Sequence, residues 1–342
     1  MESLIIPFLV AVVISLVATP VVIKMAKRFG FIDVPKDERR VHKKPVPLSG
    51  GLAMYISFVV CVILFTDLSK EIIGLLIGTT IIVVSGLIDD KVGLSPKKKL
   101  VFQILSSAIL VYCGVKIEFL NNPLRIGEPV IYFDLFVIPI TIFWITGITN
   151  TINLIDGLDG LADGVSMICS ISLTAIAYKF GYMEVAIVGA ILAGACLGFL
   201  PFNFNPAKIF MGDTGALFLG FVLAYISIEG IMKSAAVLTI IVPVLILGVP
   251  VFDTTFAMIR RKLSGKSIVE ADKGHLHHRL LATGLSQRQT VLVLYTISVI
   301  FGLIANIISN FDPNVALILA ILVFIVVIIL GLITGMFKTR GE

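Results

Sequence analysis

Apolar runs of about 18 residues or more, long enough to cross the hydrocarbon of a bilayer, recur along this chain between short polar gaps. The pattern predicts eleven spans, near 4–25, 48–66, 71–88, 100–114, 137–152, 161–178, 185–200, 215–230, 235–257, 290–308 and 314–336. The expected fold class is therefore an all-α polytopic integral membrane protein, one transmembrane unit over 1–342. Its polar loops fall near 26–47, 89–99, 150–160, 201–214 and 258–289. Little chain remains for a soluble domain, so water-soluble reactants must come to the membrane.

Charge gives this bundle an orientation, because Lys and Arg accumulate in cytoplasmic loops. Gaps after odd-numbered spans, with the C-terminal tail, hold 22 of the 27 basic residues; the other side holds Lys70, Lys116, Arg125, Lys179 and Lys233. The N-terminus is expected outside and the C-terminus in the cytoplasm. Ser3 to Met25 lacks a basic segment before its apolar run and is followed by Lys27 and Arg28, the pattern of a retained span rather than a cleaved signal. The formal charge of +5 thus reads as a topology signal and argues against nucleic acid as a partner. Cys61, Cys113, Cys169 and Cys196 are isolated in apolar stretches without metal-type spacing and read as packing residues. Between 115 and 136, Asn121-Asn122-Pro123 and Gly127-Glu128-Pro129 are turn signals that predict a short hairpin.

The residues capable of chemistry cluster where spans end, on the cytoplasmic side of this scheme. Asp89-Asp90 ends the third span; two adjacent carboxylates near hydrocarbon need a cation, and a hard divalent ion held with phosphate is a common answer. After the fifth span, Asn150-Thr151-Ile152-Asn153-Leu154-Ile155-Asp156-Gly157-Leu158-Asp159-Gly160 offers amides, carboxylates and glycines that let a ligand approach; if helical, Asn153, Asp156 and Asp159 or Gly160 share a face. Its spacing lacks the twelfth-position Glu of a calcium loop. Asp213 and Thr214 stand where the eighth span would be N-capped, and a helix start can also receive phosphate. His275, His277 and His278 lie beside Asp272 and Arg279, a density suited to phosphate or metal binding or to proton transfer. The His-Glu-x-x-His signature of a zinc protease is missing. In the first basic loop, Lys43 or Lys44 is the better anion contact. Carboxylates for a metal, cations for phosphates and a membrane surface together describe phosphoryl transfer between a soluble diphosphate and a lipid acceptor.

The ordered set Pro47-Leu48-Ser49-Gly50-Gly51, Asp89-Asp90 with Leu94-Ser95-Pro96-Lys97, Asn153-Leu154-Ile155-Asp156-Gly157-Leu158-Asp159-Gly160, Phe210-Met211-Gly212-Asp213, Pro250-Val251-Phe252-Asp253-Thr254 and His275-Leu276-His277-His278 resembles the polyprenyl-phosphate N-acetylhexosamine-1-phosphate transferases over about residues 40 to 290. The resemblance implies a sugar 1-phosphate moved from a UDP-N-acetylhexosamine to undecaprenyl phosphate, with release of UMP. It implies a bacterial cytoplasmic membrane enzyme using Mg2+, which Mn2+ could replace, with the lipid bilayer as a partner and room for a homodimer. By this similarity Asp213 would be the most direct metal ligand, and Asp89 and Asp90 would serve the metal or activate the acceptor. Asn153, Asp156 and Asp159 would line the nucleotide-sugar pocket, the first two also within reach of the metal, and Phe210 would stack on uracil. His275, His277, His278 and Arg279 would face sugar or diphosphate, and Lys44 the acceptor phosphate. Asp253 would support the pocket, with a bent ninth helix forming a lipid groove. The histidine segment and span count look more like the N-acetylglucosamine-1-phosphate enzymes than the muramoyl-pentapeptide enzyme. Ser49 departs from the family, where an apolar residue is commoner before the glycine pair. A secondary transporter would place its acids near the midplane at broken helices rather than at span ends on one side.

Overall fold

The computed structural model describes residues 2–34, 45–121, 130–233, 240–265, 274–334 and 336. Among them are thirteen α-helices: α1 (Glu2–Phe29), α2 (Gly51–Phe65), α3 (Lys70–Val92), α4 (Pro96–Tyr112), α5 (Val137–Ile155), α6 (Leu161–Lys179), α7 (Met183–Asn203), α8 (Gly212–Ser227), α9 (Ile241–Ile246), α10 (Gly248–Leu263), α11 (Leu276–Ala282), α12 (Gln287–Ile308) and α13 (Pro313–Ile333). Two small antiparallel ribbons complete the fold, β1 (Ile32–Asp33) with β2 (Val46–Pro47) and β3 (Phe119–Asn121) with β4 (Val130–Tyr132). The second ribbon is the hairpin that the turn signals predict.

Eight segments among the described residues are long and apolar enough to cross a membrane, against the eleven predicted spans. The difference has physical causes. The second span falls on α2, only 15 residues long, and the fourth on α4, whose first turn carries Lys97, Lys98 and Lys99. The ninth is interrupted at Leu247, where the backbone leaves helical geometry between α9 and α10; the expected bend is this break.

Caps mark several helix starts. Ser69 accepts from the Ile72 N–H at the start of α3, Ser286 and Gln289 form a capping box on α12, and Asp312 caps α13 ahead of Pro313. Helix α8 forms the buried axis, with every residue from Thr214 to Ser227 enclosed, and continues as a π-helical turn over Ile228–Met232. Helices α1 and α13 lie at the periphery and leave most of their apolar side chains outside, as a lipid-facing helix can. Small residues let the inner helices approach: a Cβ on Gly51 would stand 2.1 Å from the Gly215 Cα, and one on Gly86 would stand 2.5 Å from the Thr214 Cα. These approaches press the end of α3 and the start of α2 against the start of α8.

Candidate active site

The close seam between α3 and α8 gathers three acids. Asp89 and Asp90 occupy the last turn of α3 and Asp213 the first turn of α8, and one carboxylate oxygen from each lies within 4.8 Å of the others. Such like charges need a cation. Lys99, in the first turn of α4, places its Nζ 2.7 Å from Asp89 Oδ2 and 2.5 Å from Asp213 Oδ2. Sequence reasoning passed over Lys99, because a Lys97-Lys98-Lys99 run beside a span reads as topological charge and nothing local singles out its third member.

The adjacent aspartates differ in their partners. Asp89 Oδ1 accepts from the Leu94 N–H at 2.6 Å, which leaves Oδ2 to Lys99. Asp90 accepts from the Ser49 hydroxyl at 2.8 Å, the Thr214 hydroxyl at 2.6 Å, the Asp213 N–H at 2.8 Å and the Thr214 N–H at 3.4 Å. The expectation that Asp213 and Thr214 cap α8 is thereby corrected: Asp213 lies inside the first turn, and the carboxylate meeting the free N–H groups comes from α3.

A cavity of about 560 Å³ opens on this nest, walled by Asp33, Asp89, Asp90, Asn153, Asp156 and Asp213, with Lys91 at its edge. Lys91 also donates to the Phe29 carbonyl and lies 4.9 Å from the centre of the Phe31 ring, joining the end of α1 to α3. Asp33 is a wall residue that sequence reasoning missed; it reaches the site through the β1–β2 pairing, which no local motif announces.

The single helical face expected for Asn153, Asp156 and Asp159 is not what forms. Helix α5 ends at Ile155 and Asp156 is already non-helical, so Asn153 comes from the last turn and Asp156 from the following loop. Burial, reinforced by the charges of Asp213, Asp90 and Asp159, pushes the Asp156 carboxyl up to about 8. Asp159 Oδ2 instead accepts from Asn205 Nδ2 at 2.9 Å and the Ala207 N–H at 3.0 Å, tying its loop to the chain between α7 and α8. Phe210 pairs through its main chain, donating to Pro47 O and accepting from the Gly50 N–H.

The histidine segment packs beside this loop. A Cβ on Gly157 would stand 2.6 Å from His277 Nε2, so glycine allows the ring to lie directly over the chain that follows Asp156. His277 stacks with His275 at 5.8 Å and lies 4.2 Å from the centre of the His278 ring. Burial and the neighbouring His278 lower the His277 pKa to about 4, which favours its neutral form. Asp253 of α10 anchors the segment: its carboxylate is 2.7 Å from His275 Nδ1 and accepts from the Leu276 N–H at 2.6 Å. Arg279 Nε donates to the Gly274 carbonyl at the base of the same turn. Lys44 and Asp272 lie outside the described residues.

The arrangement can hold a cation on oxygen ligands and orient polar groups of an anionic reactant at one end of a helical bundle. Comparison with known proteins identifies the family. Residues 72–231 match the model of "Glycosyl transferase family 4". The chain is 42% identical over 310 residues to a Bacillus subtilis protein named "Probable undecaprenyl-phosphate N-acetylglucosaminyl 1-phosphate transferase", covering 89% of this chain and 85% of that one. It is 36% identical to the Mycobacterium tuberculosis "Decaprenyl-phosphate N-acetylglucosaminephosphotransferase" over 84% of this chain and 78% of the relative. A Staphylococcus saprophyticus "Phospho-N-acetylmuramoyl-pentapeptide-transferase" is 35% identical over 86% of this chain and 96% of its own. Similarity this extensive, running through the acids of α3 and α8, means that the chain belongs to glycosyl transferase family 4 and is a membrane-embedded sugar-phosphate transferase.

Proposed function

We propose that the protein transfers N-acetylglucosamine 1-phosphate from UDP-N-acetylglucosamine to undecaprenyl phosphate, with Mg2+, at the cytoplasmic face of a bacterial membrane. The observation that carries this reading is the convergence of Asp89, Asp90 and Asp213 within 4.8 Å at one end of the bundle. Hard oxygen donors of this kind fit Mg2+, and the Lys99 ammonium between Asp89 and Asp213 supports a cation-seeking nest. Asp213 and Asp89 would hold the ion, with Asp90, Asn153 and Asp156 in the same wall. Bound there, the ion would screen the diphosphate oxygens and stabilise charge on the phosphoryl group in transfer.

The protein's remaining task is alignment. A lipid phosphate monoester, with a second pKa of about 6, is largely dianionic at neutral pH and brings its own nucleophilic oxygen. That oxygen forms the new P–O bond as the bond to the uridine phosphate breaks, and UMP departs with the electron pair. Lys99 supplies positive charge beside the reacting phosphates; Asn153 and Asp156 offer hydrogen bonds to ribose or sugar; neutral His277 serves as a hydrogen-bonding group rather than a fixed cation. The weight of Lys and Arg on one side supports a cytoplasmic site.

The donor assignment is favoured by the names of the relatives at 42% and 36% identity, both N-acetylglucosamine enzymes; its product would start teichoic acid or surface polysaccharide synthesis. The muramoyl-pentapeptide relative at 35% identity motivates the second reading, the same reaction with UDP-N-acetylmuramoyl-pentapeptide. Purified protein offered each labelled UDP-sugar with undecaprenyl phosphate separates them: glycolipid from UDP-N-acetylglucosamine alone is expected, and product from the pentapeptide donor alone would reverse the assignment.

A further inference from the structure

Adjacent Asp89 and Asp90 look interchangeable as metal ligands, yet their hydrogen bonds differ in kind. We propose that Asp90 is a positioning residue, a cap supplied from α3 that fixes the start of α8 to the Ser49–Gly51 turn, and that Asp89 and Asp213 are the cation-facing pair. This rests on the metal-dependent transferase reading above.

An ionised carboxylate has about four lone-pair sites. Asp90 meets four donors, three of them on Oδ2 (the hydroxyls of Ser49 and Thr214 and the Thr214 N–H) and one, the Asp213 N–H, on Oδ1. All belong to the main chain or to short side chains fixed by the fold. The first N–H groups of an α-helix lack partners within it, and Met211, at the cap position of α8, makes no side-chain capping bond. Asp90 fills that role from a neighbouring helix, its negative charge complementing the positive end of the helix dipole.

Two features of the backbone are built around this carboxylate. Gly212 has φ of +70°, and a Cβ there would stand 2.3 Å from Asp90 Oδ2, so the chain passes flush over the acid. Ser49 has φ of +68°, uncommon for a residue with a side chain, and is buried with its hydroxyl on Asp90. The serine that departs from the family pattern thus has a partner. Asp89 takes a main-chain N–H, that of Leu94, on Oδ1 alone; its Oδ2 and the Asp213 Oδ2 share the flexible Lys99 ammonium, a partner that can yield to another cation.

The test uses full-length protein in detergent with two readouts, Mn2+ binding by electron paramagnetic resonance without substrate and kcat per folded molecule. Removing a hydrogen bond to a charged group costs on the order of tenfold or more. Asp90→Asn should therefore lower kcat at least about tenfold, yet keep Mn2+ affinity within about threefold of the starting protein. Asp213→Asn should weaken Mn2+ binding by more than about tenfold. Ser49→Ala should lower kcat in the parent but add little in the Asp90→Asn background, because the hydroxyl acts through that carboxylate. Should Asp90→Asn fail to fold, Ser49→Ala and Thr214→Val each remove one donor and carry the same two readouts. Loss of Mn2+ binding in Asp90→Asn to the extent seen in Asp213→Asn would make Asp90 a ligand and overturn the proposal, as would a normal kcat. Normal Mn2+ binding in Asp213→Asn would overturn the metal reading itself and the division of labour with it.

Discussion

Gly86→Ala probes whether the seam between α3 and α8 sets the reacting geometry. The new methyl would begin 2.5 Å from the Thr214 Cα and 2.6 Å from its nitrogen, where ordinary van der Waals contact starts at 3.4 Å. Both obstacles are backbone, so the helices must part by about 0.9 Å. That motion carries Asp89 and Asp90 away from Asp213. Overpacking of this kind costs about 1–3 kcal/mol of stability. A misplacement near 1 Å in an active site costs on the order of 100-fold in rate. Gly147→Ala in α5 is the control, because a Cβ there meets nothing within 4 Å. Alanine is the better helix former by about 1 kcal/mol, so the control should match or exceed the parent in stability. Initial rates of glycolipid formation and thermal unfolding in the same detergent would be measured on monodisperse fractions. The expected outcome is a loss of about 100-fold in kcat for Gly86→Ala and near-parental turnover for Gly147→Ala. Parental turnover in a folded Gly86→Ala protein would refute the claim that this seam aligns the acids.

Lys99→Met, which leaves Asp89 and Asp213 without their ammonium, should lower kcat at least about tenfold, checked by steady-state rates at saturating donor. Asp253→Ala removes the acceptor of His275 Nδ1 and the Leu276 N–H and should cost roughly tenfold in kcat/KM, with Asp253→Asn retaining more. For His277, whose folded pKa of about 4 lies below the free value of 6.5, the unfolded chain takes up the proton first as pH falls. Its contribution to stability is therefore unchanged above pH 6.5 and is lost progressively between pH 6.5 and about 4. His277→Asn should flatten that part of a plot of unfolding temperature against pH; an unchanged slope would count against the assignment.

What could be read from the chain was the placement of chemistry at span ends. Asp89, Asp90 and Asp213 are conspicuous because ionised side chains are costly beside hydrocarbon. What could not be read depended on distant partners. The capping of α8 by Asp90 links residues 123 and 124 positions apart, and a helix start without a local cap carries no sign of who completes it. Lys99 was hidden among neighbours that serve topology. Arg260 likewise reads as positive flank, yet it is buried and donates to the Met336 carbonyl just beyond α13. The proposed face of Asn153, Asp156 and Asp159 failed because helical spacing was extended past Ile155, into a Gly157–Gly160 loop where the chain turns to meet His277 and Asn205. The broken ninth span kept its apolar count while losing its continuity at Leu247, which composition does not register.

The most direct test of the central claim is one radiolabel measurement: transfer from UDP-N-acetylglucosamine to undecaprenyl phosphate by purified protein and by Asp213→Asn, each with Mg2+ and with chelator. Glycolipid and stoichiometric UMP are expected only from the parent with Mg2+. Undiminished product from Asp213→Asn, or from the parent under chelation, would contradict it.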